Sequence, residues 1–169
     1  KILLKKLGKA EYRPTVEAMR EFTATRGADT ADELWLLEHP PVYTLGLAAD
    51  AAHGPRFDCG IPVVQAERGG EITYHGPGQI VLYTLVDLAR RGIKVKQFVA
   101  MLEQSVIDLL GSCAEPGVAR AQRVAGAPGV YVGGAKVAAL GIRVSRGCAF
   151  HGLALNVDMD LAPFSAINP

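Results

Sequence analysis

The residues best suited to chemistry fall in three short stretches. The first is Arg68 to Gln79, R-G-G-E-I-T-Y-H-G-P-G-Q, where Arg68, Glu71, Thr73, Tyr74 and His75 sit among four glycines and a proline. Glycine permits positive φ and lacks the Cβ that keeps a ligand at a distance. Gly69-Gly70 and Gly76-Pro77-Gly78 therefore bracket a short extended piece, Glu71 to Tyr74, suited to bringing backbone close to a ligand; the plain structural reading is a strand between two turns. The second stretch centres on Lys136, two residues after Gly133-Gly134 and followed by V-A-A-L-G. Side chains alternate faces along a strand, so Lys136 shares its face with Ala138, Leu140 and Ile142. An ammonium there either snorkels to water or is held in an apolar pocket, where desolvation makes it a proton carrier near neutral pH. The third is H-G-L-A-L-N, His151 to Asn156. A lone strand histidine reads first as a hydrogen-bonded core residue, and His75, in the glycine-rich loop, is the stronger candidate for a site group.

The elements that must position these groups alternate between strands and helices, without a repeat or a linker. Val16, Met19 and Phe22 give Tyr12 to Arg26 a helical spacing. Glu33 to Glu38 reads as a buried strand stopped by His39-Pro40-Pro41, since proline cannot donate to a ladder, and Val42 to Leu45 resumes as a strand. Ala48 to Pro62 is a long loop. Gln79 to Leu88 is a β-branched, apolar strand. The clearest helix carries Phe98, Val99, Leu102, Val106, Leu109 and Leu110 on one face, with Gly111 as its stop. Gly129 to Val132 and Lys136 to Val144 flank a glycine pair, a hairpin signal; Ser145-Arg146-Gly147 turns into a third strand, Cys148 to Val157. The fold class is α/β or α+β, with a mixed or antiparallel sheet and packed helices, in a single domain over residues 1–169.

Eighteen basic against seventeen acidic residues give no global signature of nucleic-acid binding. A local excess at Arg120, Arg123, Arg143 and Arg146 reads as solvated surface or as a landing patch for an acidic partner. Three cysteines, Cys59, Cys113 and Cys148, fit neither a disulfide framework nor a CxxC metal site, which points to a reducing cytoplasm. No apolar run approaches membrane-span length. There is no metal-ligand spacing and no phosphate loop of the G-x-x-x-x-G-K-[S/T] type. The chain starts at Lys1 rather than Met, so a trimmed front edge is expected.

Three motifs in order, R-G-G-E-I-T-Y-H-G-P-G-Q, then G-V-Y-V-G-G-A-K-V-A-A-L-G-I-R-V, then F-H-G-L-A-L-N-V-D-M-D-L with F-S-A-I-N-P, resemble the lipoyl(octanoyl) transferase family of lipoate biosynthesis. The resemblance runs from about Glu33 to Pro169. It implies the fold of lipoate- and biotin-protein ligase catalytic domains. It also implies an activity: octanoyl is taken from acyl carrier protein and placed on a lysine of lipoyl domains of 2-oxoacid dehydrogenases or of glycine-cleavage H protein. No permanently bound cofactor is implied, because the acyl group arrives on the carrier's phosphopantetheine; neither nucleic acid nor membrane is an expected partner.

The family's chemistry runs through a cysteine thiolate and a lysine. The thiolate attacks the octanoyl thioester, the carrier thiol leaves, and the target amine attacks the acyl-enzyme. Lys136 stands in the family's lysine position, lending a proton to the departing thiol and later accepting one from the amine. By the same resemblance Arg68, Gly69, Gly70, Glu71, Ile72, Thr73, Tyr74 and His75 form one wall of the acyl pocket, Ala139, Leu140 and Gly141 a second, and Gly152, Leu153 and Ala154 a third. Backbone N–H groups at the glycines are candidates to bind the developing oxyanion. The family's cysteine follows directly after I-N-P, where this sequence ends, so the expectation is a catalytic domain cut before its nucleophile. Cys148 reads as a buried structural thiol, and neither Cys59 nor Cys113 has a basic neighbour that favours a thiolate. Two alternatives stay open: an ATP-dependent lipoate-protein ligase, whose loops usually read S-G-G-G with H-D after it, and a non-catalytic acyl- or lipoyl-domain-binding module.

Overall fold

The computed structural model describes residues 1–49, 54–113 and 120–168. Its frame is a seven-stranded sheet in the order β1 (Ile2–Lys9), β2 (Asp32–Glu38), β6 (Gln79–Asp87), β10 (Cys148–Asn156), β9 (Ala135–Ser145), β8 (Ala127–Val132), β7 (Gln122–Val124). Within this sheet β1 and β2 pair parallel and the other described neighbour pairs are antiparallel. A three-stranded sheet, β4 (Val63–Gln65), β3 (Val42–Leu45) and β5 (Ile72–His75), stands beside it. The mixed, mainly antiparallel sheet with packed helices is the expected class.

The two faces of the large sheet are covered by different helices. On α1 (Tyr12–Thr25), Tyr12, Val16 and Met19 fall at i, i+4 and i+7, a helical stripe, and pack with Trp35, Leu37, Val81, Tyr83, Leu85 and Phe150. On α3 (Val95–Cys113), Phe98, Leu102 and Val106 cover the other face with Val130, Ala138, Leu153 and Leu155. A third cluster joins the small sheet to the chain's last described residues: Tyr43, Ile72 and Tyr74 pack with Ala166 and Ile167, which close a 3-10 turn at Ala162–Ala166.

Several boundaries differ from the sequence reading. Gly111 does not stop α3, which continues to Cys113; that glycine has an ordinary helical neighbourhood, and Ser112 Oγ donates to the Leu109 carbonyl 2.7 Å away. Cys113 is accordingly inside the helix. Strand β6 ends at Asp87, because the Asp87 carboxylate accepts the Arg90 N–H and starts a one-turn helix, α2 (Leu88–Arg91). Strands β1, β4 and β7 carry no alternation to announce them; β1 is exposed along its whole length and is held by its ladder with β2. Part of the expected long loop, residues 50–53, lies outside the described residues.

Two structural consequences prepare the site. The chain crosses between the sheets at His39-Pro40-Pro41 and again at His75 to Gln79, so His39 and His75 come together, ring centres 5.7 Å apart. Strand β8 is also shorter than its partner: β9 pairs with it only through Ala138, leaving Ala139 to Ser145 with no β-ladder on that side.

Candidate functional site

The corner of the small sheet closes on this unladdered half of β9. Gly69 N–H donates to the Ile142 carbonyl at 3.1 Å, and a Cβ on Gly141 would lie 2.7 Å from the Gly69 carbonyl oxygen and 3.2 Å from Arg68 Cδ. The close approach of loop and strand thus depends on Gly141 having no side chain. Between them opens a cavity of about 850 Å³, walled by Arg68 to Thr73, by Lys136 and Ala139 to Ile142, and by Met159, Leu161 and Phe164 of the C-terminal segment. A second chamber of about 50 Å³ shares Arg68, Thr73, Ala139, Leu140 and Gly141 with the first; its own walls include Tyr12, His75, Tyr83, His151 and Gly152 to Ala154.

All but one of the pocket residues expected from the sequence line these two spaces. Arg68, Gly69, Gly70, Glu71, Ile72 and Thr73 border the large cavity with Lys136, Ala139, Leu140 and Gly141, while His75, Gly152, Leu153 and Ala154 border the small one. Tyr74 borders neither. Alternation along β5 turns its ring into the small sheet's own core, 5.4 Å from Tyr43 and 5.5 Å from Phe164.

Arg68 holds the loop in shape. Its buried guanidinium donates five hydrogen bonds: Nε and Nη2 to Thr44 Oγ1, Nη2 also to the Thr44 and Glu71 carbonyls, and Nη1 to the Gly69 carbonyl, at 2.6 to 3.2 Å. Burial lowers its proton affinity, but an arginine starts so far above neutrality that it stays charged. The cation therefore sits at the boundary of the two chambers, stabilised by three carbonyl dipoles and the Thr44 hydroxyl.

The G-P-G turn is fixed just as closely. Gly78, at φ +83°, receives the Val157 and Asp158 N–H groups on its carbonyl and donates its own N–H to Glu38 Oε2 at 2.9 Å. The next residue sets the His75 tautomer. Gln79 Nε2 donates to the Tyr74 carbonyl and to Asn156 Oδ1, so Gln79 Oε1 is the acceptor and His75 Nδ1 donates to it at 2.7 Å. His39 follows the same logic: Nδ1 donates to the Ala10 carbonyl, leaving Nε2 to accept from Tyr83 Oη at 2.7 Å. Burial, reinforced by the neighbouring His39, pushes the His75 imidazole down to about 3, and burial with the Arg68 charge does the same to His151. Both rings are neutral at physiological pH, and neutral imidazoles orient hydrogen bonds without carrying charge.

Lys136 is exposed at the rim of the large cavity, with Nζ 5.7 Å from the centre of the Tyr131 ring. Of the two sequence readings, the snorkelling one describes it: the ammonium reaches water across the mouth of the cavity. Its stem passes Gly129, where a Cβ would come within 3.4 Å of Cδ and Cε.

None of the three cysteines lines either cavity. Cys148 is buried, and burial pushes its thiol up, away from thiolate. Cys59 is exposed and touches Tyr43 Oη at 3.3 Å. The four arginines do not form one patch: Arg123 is bound to Glu103, Gln104 and the Ala100 carbonyl on α3, whereas Arg146 binds the Thr23 and Ala24 carbonyls at the end of α1. Phe164 opens the F-S-A-I-N-P motif, whereas Tyr12, Thr44 and Tyr83 are site residues that the sequence did not single out. Only Tyr83 left a trace, through its alternation with Val81 and Leu85 on one face of β6. Among the described residues no group of three or more His, Cys, Asp or Glu is placed to hold a metal ion, and no helix is long and apolar enough to cross a membrane.

Two mixed sheets clasping a deep cavity define the architecture of lipoate- and biotin-ligase catalytic domains. A lipoate-protein ligase A solved with bound ATP superposes over 99% of this chain and 71% of its own with a TM-score of 0.74, at 15% identity. The family model for the lipoyl protein ligase A/B catalytic domain matches residues 11–169. An octanoyltransferase of Azoarcus sp. is 62% identical over 99% of this chain and 72% of its own, and one of Dechloromonas aromatica is 59% identical over 99% and 79%. The chain belongs to the lipoyl protein ligase A/B catalytic-domain family, among its octanoyltransferases.

Proposed function

We propose that the chain transfers octanoyl from acyl carrier protein to a lysine of a lipoyl domain through a cysteine thioester, in the cytoplasm. The observation that carries this reading is the cavity itself, which gathers three stretches far apart in sequence around a slot with Lys136 at its mouth. An octanoyl chain has six methylenes, and at about 0.8 kcal/mol for each one buried the slot contributes about 5 kcal/mol of binding. Arg68 and Gly69 to Thr73 form one wall of the slot and Ala139 to Gly141 a second, while His75 and Gly152 to Ala154 line the small chamber at its inner end.

The nucleophile is a cysteine following Ile167-Asn168-Pro169. In support, Met159, Leu161 and Phe164 line the large cavity and Ile167 N–H is tied to the Phe164 carbonyl, so this segment runs beside the slot. Lys136 favours the thiolate by its positive charge, gives a proton to the pantetheine thiol as it leaves, and takes one from the acceptor amine as it attacks. Full-length protein is incubated with octanoyl-acyl carrier protein and its intact mass measured. A thioester-linked octanoyl adduct is expected, discharged by a lipoyl domain. A protein that gains no adduct, yet acylates the domain with ATP and free acid, would instead be a ligase; inertness under both conditions would make it a binding module.

A further inference from the structure

The small inner chamber presents two unusual features at one residue. His151 is only 1% exposed, yet among the described residues neither ring nitrogen has a hydrogen-bond partner, and the same is true of Tyr12 Oη, whose residue lines the same chamber. His151 also holds φ +61° in the middle of β10, a left-handed conformation that a non-glycine residue keeps only where its surroundings impose it. Here the β9 ladder runs through His151 paired with Ile142, whereas pairing with β6 skips Phe150 and His151. The His151 carbonyl is instead taken by Thr84 Oγ1 at 3.0 Å.

We infer that this chamber is a hydrated end stop for the acyl chain, with water held between His151 and Tyr12, and that His151 thereby sets the length of acyl group accepted. The inference rests on the acyl-pocket reading above. A volume of about 50 Å³ has room for one or two waters, given roughly 30 Å³ per molecule in the liquid. A neutral imidazole offers one donor and one acceptor, and a phenol offers both, so such water finds several partners. Filling the chamber with hydrocarbon would leave those polar atoms buried and unpaired.

The lengths agree. Strand β9 rises about 3.3 Å per residue, which puts Ala139 about 10 Å and Gly141 about 16 Å beyond Lys136. An extended chain advances about 1.2 Å per bond, so an octanoyl group whose carbonyl lies near Lys136 ends about 8 Å in. That is just short of the rim shared by the two chambers, which on β9 begins at Ala139. Two further carbons would enter the small chamber and displace its water.

Two measurements test this. In the first, full-length protein is assayed with octanoyl- and decanoyl-acyl carrier protein. Wild type should strongly favour octanoyl, and Tyr12→Phe and His151→Gly should each raise the decanoyl-to-octanoyl ratio of kcat/KM about tenfold. Glycine tolerates the positive φ, and Tyr12→Phe keeps the ring, so both should fold, as thermal melting will check. An unchanged ratio in folded Tyr12→Phe and His151→Gly overturns the end stop while leaving octanoyl transfer standing. In the second, a crystal structure fine enough to show ordered water should place water within hydrogen-bond distance of both Tyr12 Oη and a His151 nitrogen. A dry chamber overturns the inference whatever the activity, whereas wild type inert towards octanoyl-acyl carrier protein overturns the proposed function.

Discussion

Replacing Arg68 with lysine isolates the geometry of the guanidinium from its charge. The positive charge stays, although an ammonium is more strongly hydrated than a guanidinium and so costs more to bury. What is lost is the planar fork, which reaches Thr44 Oγ1 and the Thr44, Gly69 and Glu71 carbonyls in five hydrogen bonds at once. An ammonium on a shorter stem is a point charge with three donors in a tight cone, and these acceptors are spread around the fork. At least two contacts go. At about 1.5 kcal/mol for each bond to a charged donor, Arg68→Lys should cost about 3 kcal/mol. For a chain of this size about 2–4 °C of Tm is lost per kcal/mol, giving a fall of about 6–12 °C. Because the same bonds shape the loop that Gly69 N–H ties to the Ile142 carbonyl of β9, KM for the acyl donor should rise more than kcat falls. A double-mutant cycle with Thr44→Val supplies the sharper measurement, since Thr44 Oγ1 accepts from both Nε and Nη2; a coupling of about 1 kcal/mol or more is expected for groups in direct contact. A melting point within about 2 °C of wild type, with no coupling to Thr44, would refute the view that this guanidinium shapes the loop.

Three other outcomes follow from the same structure. Lys136→Arg should leave Tm within about 1 °C, because the side chain is exposed at the cavity rim, and should suppress acyl transfer at least about a hundredfold, since arginine holds the charge but cannot cycle the proton; near wild-type turnover would remove lysine from the mechanism. Asp32 is 0% exposed and its carboxylate binds Arg26, Arg90, Arg91 and the Asp87 N–H. Burial alone would raise its carboxyl, but the Asp87 N–H and the arginines outweigh that and hold it below the ordinary range. Asp32→Asn leaves Arg26 buried beside a neutral group and should cost about 3 kcal/mol, seen as a lower urea midpoint with unchanged acyl-length preference. Finally, His75 and His151 sit near 3 when folded against about 6.5 unfolded. Between these values the unfolded chain binds more protons, so stability is full above about pH 6.5 and falls as pH drops, by about 1.4 kcal/mol per pH unit for each histidine. Urea melts at pH 7 and pH 5 should show this loss, and His151→Gly should remove part of it, the rest belonging to His75 and to His39, whose imidazole burial also holds below its usual range; a midpoint independent of pH would contradict the burial of these rings.

The parts of this molecule that were legible in its sequence are those fixed by local signals. An apolar run located β2 and a β-branched, apolar one β6; Gly133-Gly134 announced the hairpin of β8 and β9, and the Ser145-Arg146-Gly147 turn the start of β10; Val16, Met19 and Phe22 marked α1. Strand β1 was not legible because all eight of its residues are exposed, so burial imposed no period on it and only its partner β2 defines it. Gly111 misled for the opposite reason. A glycine ends a helix only where the chain needs a left-handed residue, and here the helical backbone runs on for two more.

The outer wall of the site was readable because a ligand-facing loop needs glycines, and glycines show in a sequence. The inner wall needs none at its polar positions. Tyr12 begins a helix and Tyr83 alternates in a strand; each looks like core until topology brings it to the same place. What brings them together is the pair of crossings between the two sheets, at His39 and at His75. These set both His39 nitrogens against the Ala10 carbonyl and Tyr83 Oη, and His75 Nδ1 against Gln79 Oε1, so each of these rings has a protein partner. His151 lies 5.8 Å from the Tyr83 ring and is left unsatisfied. A buried network whose other histidines are hydrogen-bonded rarely leaves one ring bare without a function, because each unpaired buried polar group is costly. Three of the chain's four histidines thus meet inside the fold, two of them tied off by protein and the third turned towards the chamber where the acyl chain would end.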